Sequence, residues 1–467
     1  MKGLLWVFFE KVGVTLFSLV ATFWYANLLG PTGFGMSIII LSSSLFISTI
    51  IENLQQYPLI AANENIDNTF KTSAIGWLLL SLLISTLLYV VLYIIYGSGW
   101  WILILLSVSY IPISSISRVY IADLIIKQKY KQLALRAFWG KAAGVGVGLL
   151  SAYAGHVELA IILQSFVAAF IALLVMFFSH KDLFKSDSHF SFSLFTNLIK
   201  EGIPSGVAIV EQNAKNHGLI IFLGAFIGPQ ISGVYALAIR FVDIPRSLIG
   251  IGFITWATGK FHSVKSESSA LLNTFNTAFL YSTTVLVPCY IGLAVVAKPL
   301  ILEFFGIDWL GAYEIIIGLA VYQCITSLYL YLPPLQVLFK TTYETLFVNI
   351  ASTMLILLSV VFLSDLTGKY SPLIGMYLSL LFIIPKFNYA LCKILDIKIG
   401  SVLKVITGCL ISAVGMCLFV IYIQINMNVE NLYILIFIGL FSYSFIYITL
   451  YLANIIDRKI LVNIKSL

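Results

Sequence analysis

Residues 72–96 read TSAIGWLLLSLLISTLLYVVLYIIY, a continuous apolar run without a charged side chain. As an α-helix this run is about 38 Å long, which is enough to cross a hydrocarbon core of about 30 Å. The rest of the chain has the same character, because 60% of its 467 residues are hydrophobic and 10% are charged. A soluble domain has about 25% charged residues, so this composition excludes an ordinary soluble enzyme.

Similar apolar runs recur along the whole chain and predict an all-α, polytopic membrane protein with about fourteen transmembrane helices. The mean hydropathy of +1.01 agrees with this fold class. The predicted spans are 4–29, 34–61, 72–96, 100–126, 133–153, 157–179, 198–226, 230–259, 270–297, 312–338, 345–363, 371–392, 399–423 and 431–453. The outer connection near 298–311 contains Phe305 and Trp309 and is predicted to lie along the membrane interface.

The basic residues outside these spans fall almost entirely on one side of the predicted membrane. If the N-terminus is cytoplasmic, the outer segments hold only Lys298 and Lys369. Inner loops of membrane proteins are rich in Lys and Arg, so this bias predicts that both termini are cytoplasmic. It also accounts for the net charge of +7, which is therefore not a sign of nucleic-acid binding. The five cysteines lack the spacing of metal ligands, and we expect neither a metal nor a cofactor.

An internal repeat divides the chain. Residues Gly30-Pro31-Thr32-Gly33-Phe34-Gly35 follow the first span, and Gly228-Pro229-Gln230-Ile231-Ser232-Gly233 follow the seventh, 198 residues later. In each copy we expect glycine to end one helix and proline to begin the next. A second, weaker repeat is the similarity of Lys127-Gln128-Lys129-Tyr130 to Lys340-Thr341-Thr342-Tyr343. A generic tight connection remains the alternative explanation of each motif.

The repeat predicts two parallel lobes of about six helices each around a central cavity. We assign residues 1–179 to the N-terminal lobe and 180–197 to a cytoplasmic connection between the lobes. The C-terminal lobe is predicted at 198–395, and residues 396–467 would form two additional helices and a cytoplasmic tail.

Charged side chains within the spans are the candidate site residues, because a charge inside a bilayer is costly unless it faces protein or water. The candidate ligand-binding cations are Lys11, Arg118, Lys141, Lys215, Arg240 and Arg246. The candidate acids, for ion coupling or for pairing with these cations, are Glu52, Asp123, Glu211 and Asp243.

The spacing of these charges predicts two pairs. Glu211 and Lys215 are four residues apart and share one helix face, while Asp243 is three residues from both Arg240 and Arg246. Pro245 should kink the helix between them. Purely structural pairs remain an alternative, and Lys11 or Arg118 could extend to the interface instead. If the cations line a cavity, its natural ligand is a phosphate or pyrophosphate.

These motifs resemble the polysaccharide flippases of the Wzx type, in the multidrug/oligosaccharidyl-lipid/polysaccharide exporter superfamily. The similar segments are Lys2-Gly3-Leu4-Leu5-Trp6, Ala26-Asn27-Leu28-Leu29-Gly30-Pro31, Pro204-Ser205-Gly206, Gly228-Pro229-x-x-x-Gly233-x-Tyr235-x-Leu237-Ala238 and Arg240-x-x-x-Ile244-Pro245. The resemblance implies a non-enzymatic transporter of the bacterial inner membrane with a cationic cavity. Its substrate would be an undecaprenyl-pyrophosphate-linked oligosaccharide such as an O-antigen unit, and its last two helices would form a groove for the lipid tail.

Several points stay open at this level. Coupling to a proton or to a sodium gradient is equally compatible with the acids. A polysaccharide polymerase and a chain-length regulator are conceivable partners, and we expect a monomer in contact with membrane lipid. A multidrug exporter of the same superfamily is the main alternative, although such sites favour acids. A membrane-embedded O-antigen polymerase or glycosyltransferase would need larger outer loops than this chain has.

Overall fold

A computed structural model describes residues 2–61, 66–179, 189–397, 399–427, 429 and 431–452. All regular structure in these ranges is helical, and each predicted span coincides with a helix or a run of helices. Ten helical stretches of the described residues are long and apolar enough to cross a membrane. Tyr343–Leu395 contains two predicted spans, and Val12–Ala61 contains one and most of another. The all-α membrane fold is thus confirmed, while the number of crossings stays a prediction.

The chain divides into two compact units. Unit 1 comprises Met1–Ala236 with Val360–Lys369, and unit 2 comprises Leu237–Ser359 with Tyr370–Leu467. This division follows packing, whereas the predicted lobes 1–179 and 198–395 follow the repeat, and the lobe boundaries stay a prediction.

Unit 1 is built from the first seven helices and the beginning of the eighth. Their bounds are α1 (Lys2–Ala61), α2 (Ile66–Tyr96), α3 (Trp101–Ile126), α4 (Tyr130–Tyr153), α5 (Val157–Ser179), α6 (Phe192–Asn213), α7 (Leu219–Phe226) and α8 (Pro229–Pro245). A π-helical turn, Ala214–Gly218, joins α6 to α7.

Helices α4 and α5 of unit 1 pack with their backbones in close contact. A β-carbon added to Gly140 would lie 2.6 Å from the Ala168 carbonyl oxygen, and one added to Gly144 would lie 2.4 Å from that of Gln164. Small residues at a spacing of four allow such an approach between helices in a bilayer, where lipid offers no hydrophobic driving force for association.

Unit 2 begins within α8 and continues through a second π-helical turn, Arg246–Gly250. Its further helices are α9 (Ile251–Ser263), α10 (Ser268–Phe305), α11 (Gly311–Ser327), α12 (Leu332–Phe339), α13 (Tyr343–Thr367), α14 (Ser371–Leu395), α15 (Ile399–Asn426) and α16 (Leu432–Leu452). The end of α13, from Val360 onward, belongs to unit 1. Helix α10 packs against α11, α15 and α16. Val296, Met416, Val420 and Leu435 form the core where α10, α15 and α16 meet.

The helix breaks predicted at the repeat are confirmed. Gly30 interrupts α1 with φ 62° and ψ 177°, and Gly228 separates α7 from α8 with φ 122°. Positive φ values of this kind strain residues with a side chain, so both positions require glycine. Pro31 and Pro229 follow at once and begin the next helical segment.

The weaker repeat, at residues 127–130 and 340–343, also corresponds to a similar structural element in both copies. The turns after α3 and after α12 both contain one left-handed residue, Gln128 with φ 53° and Lys340 with φ 57°. The left-handed residue is the second of the turn in the first copy and the first in the second copy. The resemblance therefore lies in the position and length of the turn rather than in its residue-by-residue conformation.

The prediction for the outer connection near 298–311 was wrong. Helix α10 continues to Phe305, and a short 3₁₀ turn, Ile307–Trp309, leads into α11. Trp309 is buried, and its ring centroid lies 6.1 Å from that of Phe305. The aromatic residues of this segment fill the core of unit 2 because the helix ends later than its hydropathy suggests.

Candidate functional site

The six predicted cations are distributed over both units. Arg118, Lys141 and Lys215 belong to unit 1, and Arg240 and Arg246 belong to unit 2. The side chain of Lys11 lies outside the described residues. Lys141 on α4 and Arg240 on α8 are both half-buried.

Arg118 on α3 is held by two acceptors on α1. One terminal nitrogen donates to the Glu52 carboxylate in an ion pair, and the other donates to Gln56 Oε1 at 2.8 Å. The Glu52 side chain is 6% exposed and that of Arg118 is 28% exposed. Glu52 and Gln56 are one turn apart on the same face of α1, so together they hold both ends of the guanidinium.

A second set of polar contacts surrounds this ion pair. Gln55, which is almost fully buried, donates to Ser73 on α2 at 3.3 Å and accepts from Ser115 on α3 at 3.4 Å. These bonds join α1, the helix that carries Glu52 and Gln56, to both α2 and α3. The sequence analysis missed Gln55 and Gln56, and their one signal was their position beside Glu52 in an apolar span.

Asp123 forms an ion pair outside this group. Its Oδ1 lies 2.7 Å from Lys127 Nζ, one turn further along at the end of α3. The Lys127 side chain is half exposed. Asp123 therefore neutralises a lysine at a helix end and contacts none of the candidate ligand-binding cations among the described residues.

Lys215 lies within the π-helical turn Ala214–Gly218 and pairs with Glu211, as their spacing predicts. The distance from Lys215 Nζ to Glu211 Oε1 is 3.0 Å. Between them, Asn213 has a buried side-chain nitrogen with no hydrogen-bond partner among the described residues. π-Helical turns of this kind often mark functional sites, because the extra residue reorients the side chains around it.

Arg246 begins the second π-helical turn and differs from the cations of unit 1. Its side chain is exposed, and so is that of Asp243 one turn earlier. Within the described part of the chain, neither side chain forms an ion pair or hydrogen bond with another side chain. Asp243 thus forms no close ion pair with Arg240 or Arg246 among the described residues, although Arg246 is near enough to interact with Asp243 electrostatically.

A cavity of about 540 Å³ lies inside unit 2. Its walls come from α8, α10, α15 and α16 and include Ile244 and Pro245, the two residues that precede Arg246. The lining is almost entirely apolar. Of its polar groups, the Tyr443 hydroxyl is already bound to the Thr284 carbonyl oxygen at 2.9 Å. Such a cavity suits a hydrocarbon chain and offers nothing to an ion or a sugar.

The comparison with protein families places this geometry in context. The family model described as polysaccharide biosynthesis protein matches residues 23–314, more than half of the chain. No curated protein sequence matches the chain.

Solved structures share the fold at low sequence identity. An inward-closed structure of the lipid II flippase MurJ matches with a TM-score of 0.78 and 16% identity, over 98% of this chain and 99% of that one. An outward-facing multidrug resistance MATE family transporter of the MOP superfamily matches with a TM-score of 0.50 and 15% identity, over 84% and 94%. MATE in the bent conformation matches with a TM-score of 0.50 and 15% identity, over 83% and 93%.

These solved structures are of a flippase and of transporters. At such identities the likeness establishes the fold. Together with the family match, it confirms the resemblance on which the sequence analysis relied. The chain belongs to the polysaccharide biosynthesis protein family and has the fold of the multidrug/oligosaccharidyl-lipid/polysaccharide exporter superfamily.

Proposed function

We propose that this protein is a flippase for a lipid-linked oligosaccharide. It moves an undecaprenyl-pyrophosphate-linked glycan, such as an O-antigen unit, from the cytoplasmic to the periplasmic leaflet of the bacterial inner membrane by alternating access. Both termini are cytoplasmic in this proposal, and the transporter works as a monomer. Membership in the polysaccharide biosynthesis family supports the class of substrate.

One observation carries the proposal: the exposed Arg246 directly follows two residues that line the apolar cavity. A polyprenyl pyrophosphate has a matching arrangement, because its hydrocarbon tail is followed directly by a charged head group. The lipid around the protein is as apolar as the cavity, so the cavity gains little hydrophobic free energy from the tail. The cavity instead orients the hydrocarbon tail so that the pyrophosphate head group reaches Arg246.

The guanidinium of Arg246 is suited to the head group because its planar set of donors binds two phosphate oxygens at once. Lys11, Lys141 and Arg240 are proposed as further contacts for the pyrophosphate. Arg118 and Lys215 reach it only by giving up Glu52 and Glu211. Such an exchange would leave the acid free to take up a proton or a sodium ion, and Asp243 is a further candidate for that role.

Transport in proteoliposomes tests this proposal. The substrate is a fluorescent undecaprenyl-pyrophosphate oligosaccharide, and the readout is its appearance in the opposite leaflet. The decisive variant is Gly439→Leu. Gly439 lines the cavity and its added β-carbon would meet only ordinary contacts, 3.7 Å from Val420 and 3.9 Å from Met416, so the leucine side chain fills space that the tail would use.

The matched control is Gly146→Leu on α4, where an added β-carbon has no neighbour within 4 Å. Replacing a helical glycine stabilises the helix by about 0.5–1 kcal/mol in both variants, so folding does not separate them. We expect the control to transport like the wild type and Gly439→Leu to be slowed at least tenfold. If the wild type moves no lipid-linked glycan but exports organic cations, the protein is a multidrug exporter and the proposal fails.

A further inference from the structure

Helix α9, which follows Arg246 in unit 2, has one side buried and one side exposed. It packs against α10 and α12. Ala257 and Phe261 are buried on the packed side, where the Phe261 ring centroid lies 6.0 Å from that of Tyr331. The exposed residues form one continuous face, because they recur at the helical period of about 3.6 residues. They are Ile251, Gly252, Thr255, Trp256, Thr258, Gly259, His262 and Ser263.

The composition of this exposed face is unlike that of a surface in contact with lipid. Within the predicted span, which ends at residue 259, Ile251 is the one aliphatic member of this fully described face. The exposed residues of α2, in contrast, are mainly leucine, isoleucine and valine, as expected of a helix in contact with hydrocarbon. Asp243 and Arg246 are exposed just before α9, and a charge is costly against lipid. The exposed face of α9 therefore borders an aqueous space.

Trp256 is the large aromatic side chain of this face. It is 40% exposed, and its indole makes no hydrogen bond or ring contact with any described residue. Gly252 lies one turn before it and Gly259 one turn after it. A β-carbon added to either glycine would have no neighbour within 4 Å. The space on both sides of the indole is thus open, and a flat ligand can lie against it.

The polar groups beside Trp256 can accept and donate hydrogen bonds. The hydroxyls of Thr255 and Thr258 donate to carbonyl oxygens of their own helix, at 2.8 and 2.7 Å, so their lone pairs can still accept from a ligand. The indole N–H is a donor. An aromatic surface with a donor and acceptors around it suits a sugar, which has an apolar C–H face and hydroxyl groups at its rim.

The order of groups along this part of the chain matches the order of groups in a lipid-linked glycan. Ile244 and Pro245 line the apolar cavity, Arg246 follows them, and the exposed face of α9 follows Arg246. A lipid-linked glycan likewise has a hydrocarbon tail, a pyrophosphate and then sugars. Trp256 is about 15 Å from Arg246 along the helix, so it is reached by sugars rather than by the pyrophosphate.

We propose that the exposed face of α9 binds the glycan of the substrate. Trp256 stacks against a sugar ring, and Thr255 and Thr258 accept hydrogen bonds from sugar hydroxyls. The inference rests on the proposed function, because it takes the head group to lie at Arg246. The competing explanation is that Trp256 anchors the helix at the membrane interface, where tryptophan is frequent.

Binding of two probes to the purified protein separates these explanations. The probes are the fluorescent undecaprenyl-pyrophosphate oligosaccharide of the transport assay and undecaprenyl pyrophosphate without a glycan. We expect Trp256→Ala to weaken binding of the first probe about 5–30-fold and of the second by less than about twofold. The matched control is Trp139→Ala on α4, because Trp139 is 57% exposed and also lies in a membrane helix. It should change neither affinity.

A second variant covers the indole without removing it. Helical side chains lie over the turn that precedes them, so the leucine of Gly259→Leu extends over Trp256. The position is open, and the matched control Gly146→Leu on α4 is equally open, so folding does not separate the two variants. We expect Gly259→Leu to weaken binding of the glycan-bearing probe as Trp256→Ala does, and Gly146→Leu to leave it unchanged.

The two probes also separate a failure of this inference from a failure of the proposed function. If the wild type binds neither probe, both are overturned. If it binds both probes and Trp256→Ala weakens both equally or neither, the head-group site stands and the glycan site on α9 is overturned. The glycan site is overturned as well if Trp139→Ala reproduces the selective loss, since that loss would then belong to any exposed tryptophan.

Discussion

The cations of unit 1 and the cation Arg246 of unit 2 lie in similar positions within apolar helices but in different surroundings. In unit 1, Arg118 and Lys215 each pair with a carboxylate that is at most 10% exposed. In unit 2, Arg246 is exposed and directly follows two residues that line an apolar cavity, and its electrostatic interaction with the exposed Asp243 involves no close ion pair among the described residues. The charges of Arg118 and Lys215 are neutralised by close carboxylates, whereas the charge of Arg246 is balanced at longer range by Asp243 and stays exposed.

The structure therefore separates the charged residues of the spans into two groups that the sequence does not distinguish. An ion pair with a buried acid stabilises the position of a helix, and breaking it leaves a charge in an apolar environment. An exposed cation without an acid costs the fold little to lose and contributes most to ligand binding. Substitutions in the two units should therefore affect different quantities.

The largest expected effect is on stability, in unit 1. Arg118→Leu leaves the Glu52 carboxylate buried without its partner, which should lower the free energy of unfolding by about 3–5 kcal/mol. Chemical or thermal unfolding in detergent measures this loss. The double variant Arg118→Leu/Glu52→Leu removes both charges and should recover most of the stability. If the single variant is as stable as the wild type, the pair is not structural and Arg118 returns to the ligand site.

The next effect is on binding, in unit 2. Arg246→Ala removes a charged hydrogen-bond donor worth about 1.5–3 kcal/mol, so affinity for a polyprenyl pyrophosphate should fall about 10–150-fold. The free energy of unfolding should change by less than about 0.5 kcal/mol, as for other exposed residues. A titration of the purified protein with the lipid measures the affinity. Arg246→Lys should restore only part of it, because lysine cannot bind two oxygens with a planar fork. Unchanged affinity in Arg246→Ala would remove the proposed head-group site.

The smallest effect concerns Lys215 and Glu211. This pair is four residues apart on one helical face, and Lys215 lacks the second side-chain acceptor that Gln56 gives to Arg118 among the described residues, so its coupling energy should be below about 1 kcal/mol. A double-mutant cycle with Lys215→Ala and Glu211→Ala, followed by unfolding measurements, gives this energy. A coupling of several kcal/mol would show that Lys215 and Glu211, like Arg118 and Glu52, form a structural ion pair. It would then make the exchange of Lys215 between Glu211 and pyrophosphate implausible.

Local patterns account for the parts of the fold that were predicted correctly. Gly30 and Gly228 were recognised as helix breaks because glycine before proline favours a backbone that other residues avoid. The end of α10 was placed too early because Lys298 and Pro299 resemble a loop. In the structure the helix continues to Phe305, and the burial of Trp309 shows that packing in unit 2 outweighs this local signal.

The charged residues within the spans could be identified from the sequence, but only one of their ion pairs followed from spacing. A spacing of four along one helix brings Glu211 and Lys215 together, and this can be deduced from the sequence. The partner of Arg118 is 66 residues away on α1, and no local spacing indicates it. The spacing of Asp243 suggested pairs with Arg240 and Arg246, but its side chain is exposed and forms no close ion pair in the described part of the chain.

The sequence by itself determined the all-α membrane fold, the repeat and the set of charged residues in the spans, because hydropathy, helix breaks and charge are local properties of the chain. The tertiary structure decided which charges are neutralised and which remain available. It also decided where α8, α10, α15 and α16 leave an apolar cavity and which side of α9 stays exposed. These features depend on contacts between helices that are distant in the chain. The distances between these helices follow from how their backbones and side chains pack. Local patterns in a single sequence do not specify that packing.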